Sequence, residues 1–104
     1  MGVFLTSYNK SPLSTIRLAV EFRDALKANG YRVIDITGFN VHTQLPMTRG
    51  YSWLNGSRAF AYVSGGVVGQ QYPVRFEITL KNPGGPALPD VILDRTIIIN
   101  VVEQ

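Results

Sequence analysis

His42 is the only histidine and no cysteine accompanies it, which excludes thiol nucleophiles, thiolate metal sites and disulfides together. A Ser–His–Asp set can be assembled on paper from Ser7, Ser52 or Ser64 with Asp35, Asp90 or Asp94. No G-x-S-x-G elbow singles out one of those serines. No H-x-x-x-H or D-x-D spacing offers ligands to a metal. Asp35 and Glu77 could face each other across strands as acid and base, but carboxylates on strands are usually solvated. The chain is therefore expected to be non-enzymatic, without cofactor or metal, and His42 to be a loop residue with no special role.

Phosphate-binding patterns are equally poor. The G-x-x-G in Gly65-Gly66-Val67-Val68-Gly69 resembles loops that clamp RNA backbones, yet it has no adjacent Lys or Arg and lies between strand-like segments. The segment Pro83-Gly84-Gly85-Pro86-Ala87-Leu88-Pro89 repeats P-x-x-P, but its glycines loosen the extended helix that such recognition needs preformed. Both read as connections.

Recognition chemistry concentrates in 47–62. Tyr51, Trp53, Phe60 and Tyr62 are interleaved there with Arg49 and Arg58, with Arg75 on a following strand. Aromatics and Arg dominate binding hot spots, because they bring large area and directed hydrogen bonds at low entropic cost. The same mixture can stack single-stranded bases and neutralise phosphates. Hairpins also recruit aromatics simply because they pack well on a pleated surface. On that simpler expectation Trp53 and Phe60 belong to the core.

The elements that must position these residues follow from periodicity and turn chemistry. Val3 to Tyr8 reads as a first strand. Ser11-Pro12 or Ser14 opens a helix that runs to about Ala28, where Asn29-Gly30 supplies a left-handed exit. Leu18, Ala19, Phe22, Ala25 and Leu26 fall on one stripe of that helix, and Leu13, Ile16 and Val20 on a second. Tyr31 to Thr37 is a second strand, parallel to the first through a right-handed crossover. Phe39 to Gly50 is a long loop. Tyr51–Leu54 and Ser57–Val63 flank Asn55-Gly56, the signature of a type I′ hairpin. Tyr72 to Leu80 alternates strictly, and Pro73 places its start or its whole length at an edge. Val91 to Val102 is apolar on both faces and belongs in the sheet interior or under another chain.

The totals fit this outline. With 104 residues the chain has the size of one domain, residues 1–104. Hydrophobic residues make up 45% and charged ones 16%, so the chain can fill a core but has few charges to cover its exterior. The formal charge of +3 comes from basic residues spread almost evenly along the sequence, and reads as ordinary surface charge. No apolar run reaches membrane-spanning length and no signal peptide stands at the start, so the expected address is the cytoplasm.

The fold class expected is α+β, with one main helix on a mixed, mostly antiparallel sheet of about five or six strands. It opens β-α-β and continues as a hairpin and meander. The function expected is a protein-interaction module. That class includes a small inhibitor or adaptor, or a self-associating subunit of a viral or phage particle. The alternative is a nucleic-acid-binding module. The binding residues expected of the protein are Arg49, Tyr51, Trp53, Arg58, Phe60, Tyr62 and Arg75. The expected partner is a protein or a second copy, with nucleic acid as the second choice and no membrane role.

Overall fold

Two apolar periods overlap between Thr15 and Leu26, and the shorter one wins. Leu18, Phe22, Ala25 and Leu26 satisfy a helical stripe, but Ile16, Leu18, Val20 and Phe22 alternate at the strand period of two. In the computed structural model, which describes residues 6–85 and 87–103, this stretch is a strand and then a short helix. Strand β2, Thr15–Glu21, points Leu18 and Val20 into the core and Thr15, Arg17 and Ala19 outward. Helix α1 is only Arg23–Ala28. The expected main helix is thus replaced over most of its length. Ile16, Leu18 and Val20, drawn from both expected stripes, share the inward face of β2, while Ala19 turns outward, Leu13 is exposed ahead of the strand, and Ala25 and Leu26 stay on α1.

The helix does end where Asn29-Gly30 places its end. Gly30 takes φ +76. Tyr31 N–H donates to Leu26 O at 2.9 Å and Gly30 N–H to Lys27 O at 3.2 Å, the paired bonds of a Schellman exit.

The remaining strands are β1 (Thr6–Lys10), β3 (Ile36–His42), β4 (Thr48–Asn55), β5 (Arg58–Ser64), β6 (Gln71–Leu80) and β7 (Val91–Val101). Residues 3–5 of the expected first strand lie outside the described residues, and Tyr8 lies within β1. The expected strand at Tyr31–Thr37 begins late: Val33–Asp35 is a 3-10 turn, and β3 extends to His42. Most of the expected loop at Phe39–Gly50 is therefore strand, leaving only 43–47 between β3 and β4.

These strands form two sheets, ordered β1-β7-β6-β3 and β2-β5-β4. β1 runs parallel to β7, with Ser7 beside Ile98 and Lys10 beside Val101, so the expected parallel β-α-β unit does not exist. All other pairings are antiparallel. The protein is mostly β, two sheets packed face to face with one short helix, and its seven described strands exceed the five or six expected.

The core lies between the layers. Tyr72, Val74, Phe76, Ile78 and Leu80 of β6 are all buried, as are Ile97, Ile99 and Val101 of β7 and Ala59, Ala61 and Val63 of β5. These join Leu18, Val20, Phe22, Leu26, Val41 and Met47 in one cluster. β7 sits inside its sheet, flanked by β1 and β6, as its doubly apolar sequence requires. Pro73 pairs with Ile98 on the β7 side, and β3 reaches β6 only from Arg75 onward. The start of β6 is therefore an edge on the β3 side, where a residue without a backbone donor is tolerated. No described helix is long and apolar enough to cross a membrane.

Candidate functional site

The outer face of the three-stranded sheet carries the aromatic side chains. On β5, Ala59, Ala61 and Val63 turn inward, so Arg58, Phe60, Tyr62 and Ser64 must turn outward. Trp53 pairs with Phe60 and Ala19 with Phe60 from the other side, which puts one residue of each strand in a row across the sheet. The simplest expectation, that Trp53 and Phe60 are core, does not hold. Both are only half-buried, and the cluster between the sheets forms without them.

The rings stand as a column. Tyr51 stacks on Trp53 at 5.3 Å and 27°, and Trp53 on Phe60 at 4.9 Å and 14°. Near-parallel rings less than 5 Å apart must overlap face to face in an offset manner. Tyr62 leans on Trp53 at 5.8 Å and 38°. The guanidinium carbon of Arg17 lies over Phe60, 5.5 Å from its centre, within cation–π range. Tyr51, at the outer end on edge strand β4, is 72% exposed.

A bulge places Tyr51 there. The β4–β5 register shifts between Arg49 and Ser52, so Gly50 and Tyr51 together oppose Tyr62. Before the shift, Thr48 lies beside Ser64, their hydroxyls 3.1 Å apart on the outer face. Arg49, beside the inward Val63, therefore leaves β4 on the opposite side from the rings. There it donates to Ser52 Oγ at 3.4 Å.

The hairpin turn differs from the one expected. Asn55 pairs with Arg58, so the two loop residues are Gly56 and Ser57. Gly56 has φ +65, and among the described residues no non-glycine residue has a positive φ. A positive φ at the first loop position alone marks a type II′ turn, not type I′. Ser57 is thereby free to donate to Glu21 Oε1 at 2.5 Å, while Arg58 Nε lies 3.2 Å from Glu21 Oε2. The Ser57 hydroxyl, and then the Arg58 charge, hold the Glu21 carboxyl below its ordinary 4.5, outweighing the opposing effect of partial burial.

Of the seven residues expected at the site, Tyr51, Trp53, Arg58, Phe60 and Tyr62 share this face. Arg49 turns away, and Arg75 lies on the other sheet. The Arg75 guanidinium is bound 2.9 Å from Glu77 and 3.3 Å from Asp94. Arg17 belongs to the site and is missing from the expected set. Its signal is the period-two alternation of Thr15–Glu21, which puts Arg17 on the side of Ala19 and Glu21.

His42 is not a loop residue but the last residue of β3, with Nε2 buried and 3.4 Å from Glu77 Oε1. Ser52 and Ser64 hydroxyls are engaged with Arg49 and Thr48, and Asp35 accepts from Arg32 N–H at 2.8 Å. Among the described residues no cluster of three His, Asp or Glu side chains could hold a metal. Comparison with known proteins finds no matching family model, no matching curated sequence and no matching solved structure.

Proposed function

We propose that this protein is a non-enzymatic binding module that docks another protein on the outer face of its three-stranded sheet. The observation that carries this reading is the ring column itself: Tyr51, Trp53, Phe60 and Tyr62 packed on the solvent side, away from the core. Rings already ordered by stacking lose little entropy when a partner covers them. Their exposed edges and the Tyr51 face offer the amphipathic area that protein hot spots use.

The partner should bring a carboxylate. Arg17 forms no ion pair among the described residues, and it sits at the end of the column over Phe60. Glu21, the acid of the same face, is already held by Ser57 and Arg58. A second copy meeting through the same patch would have no carboxylate to spare for Arg17, so a different protein suits this face better than self-association. An inhibitor or adaptor role is the specific form we favour over a particle subunit for that reason.

Nucleic-acid binding fits less well. Bases need free ring faces, and here the faces of Trp53 and Phe60 are covered by each other, by Tyr51 and by Arg17. Arg49 and Arg75, two of the three arginines that reading requires, lie elsewhere.

The test is affinity capture from the expressing cells, then titration with the purified captured protein. The expected result is saturable binding that Trp53→Ala and Arg17→Ala each weaken by about tenfold or more, with both variants folded by circular dichroism. Equal affinity for wild type and both variants overturns the proposal. So does tight oligonucleotide binding at about 50 mM salt that is lost on raising the salt, which would instead favour the nucleic-acid reading.

A further inference from the structure

The ten basic residues look evenly scattered in sequence, but the fold gathers four of them. A cleft of about 490 Å³ lies at the end of the sandwich where α1 meets the β4–β5 turn. Arg23, Lys27, Arg32 and Arg58 line it, with Glu21 as its one carboxylate. The cleft thus carries a surplus of three positive charges, equal to the formal net charge of the whole chain. The other six basic and six acidic residues cancel.

Local structure explains the convergence. Arg23 and Lys27 are four apart and share one side of α1. The Schellman exit at Gly30 reverses the chain and brings Tyr31 and Arg32 back over the helix end. The turn is tied to the helix entrance by Phe22 N–H, which donates to Ser57 O at 2.8 Å, and this carries Arg58 to the opposite wall. Glu21 lies 3.2 Å from Arg58 and 3.8 Å from Arg23, so one carboxylate serves two guanidiniums. Lys27 and Arg32 make no ion pair among the described residues. Beneath them, Leu26 is buried, and Tyr31 and Val33 add apolar wall.

We infer that this cleft binds a small organic phosphate, with its anionic group held by Arg23, Lys27, Arg32 and Arg58 and its body resting on Leu26 and Tyr31. Guanidiniums bind phosphate oxygens in pairs and a lysine adds a mobile point charge. The volume falls within the range that holds one small ligand. Like charges crowded without anions repel, and a dianionic or more highly charged ligand removes that repulsion. The site shares Arg58 and Glu21 with the docking face, so the deciding substitutions are at Lys27 and Arg32, which belong to the cleft alone.

The experiment is calorimetric titration of the full 104-residue chain at low salt with ADP, inorganic pyrophosphate, adenosine and a soluble short-chain phosphatidic acid. ADP is expected to saturate one site, pyrophosphate to bind more weakly, and adenosine not to bind. Affinity should fall steeply as salt rises. Lys27→Gln combined with Arg32→Gln, two exposed side chains without ion pairs among the described residues, should weaken ADP by about tenfold or more. Glu21→Gln should tighten it, because the one competing anion is gone, and Trp53→Ala should leave it unchanged. Phosphatidic acid binding tighter than ADP assigns the apolar floor to acyl chains, and weaker binding assigns it to a ring. Absence of saturable binding by both ADP and pyrophosphate overturns the inference, as does ADP affinity unmoved by the double substitution. Pyrophosphate binding as tightly as ADP overturns the organic part of it.

Discussion

At the scale of single residues, two titrating groups link the turns to the pH dependence of stability. Glu21 is held below 4.5 chiefly by the Ser57 hydroxyl. A carboxyl with a depressed folded value stabilises the fold above its unfolded value and loses that contribution as pH falls below 4.5. Ser57→Ala should therefore move the Glu21 midpoint upward in an NMR titration, and an unmoved midpoint would show that Arg58 alone sets it. Lys10 works in the opposite range. It is 1% exposed, and its ammonium donates to Ser11 O at 2.6 Å and Gly65 O at 2.8 Å, with no ion pair to a carboxylate among the described residues. Burial pushes it below 10.5. In the interval below 10.5 the unfolded chain then holds more protons than the folded one, so stability from this group rises with pH. Urea midpoints between neutral pH and pH 10.5 should climb more steeply in wild type than in Lys10→Met. Parallel slopes would mean that Lys10 keeps its ordinary affinity for a proton.

At the scale of elements, the loop that receives Lys10 is fixed by close backbone approach. Gly65 has φ +84, and a Cβ there would lie 2.7 Å from Pro46 O, whereas Gly69 has φ +86 with open space around it. Gly65→Ala should cost about 1–3 kcal/mol from strain and collision together, and Gly69→Ala less, as read from urea unfolding. Equal costs would leave only the backbone angle at work. Elements of this kind were legible in sequence where one signal stood alone. The strict alternation of Tyr72–Leu80 gave β6, the doubly apolar run gave an interior β7, and Asn29-Gly30 gave the helix end. The β2 segment was not legible, because Leu18 and Phe22 serve both periods and the deciding term, pairing with β5, is tertiary. The site followed the same rule. Five of its residues were visible in the Arg-aromatic run, but a one-residue bulge reverses which side of β4 Arg49 occupies. Arg17 was hidden inside a segment read as helix.

At the scale of the whole molecule, the two-layer arrangement separates inward from outward sheet faces, and identical residue types on an inner and an outer face should behave differently. Phe76 is fully buried between the layers, where truncation leaves a cavity. Phe76→Ala should cost about 3–5 kcal/mol. Phe60 stands on the outside, half-buried, with Trp53 on one face and Arg17 over its ring. Its removal forfeits one stacked pair and one cation–π contact, so Phe60→Ala should cost roughly 1–2 kcal/mol. Urea denaturation of both variants beside wild type measures the contrast, provided the slopes agree. The comparison bears on docking as well as stability. A surface kept for a partner contributes little to the isolated fold, because its area is still in water. If Phe60→Ala proves as damaging as Phe76→Ala, the ring column is a second structural layer holding β2, β5 and β4 together. The outer face would then have no surplus of apolar area to offer another protein.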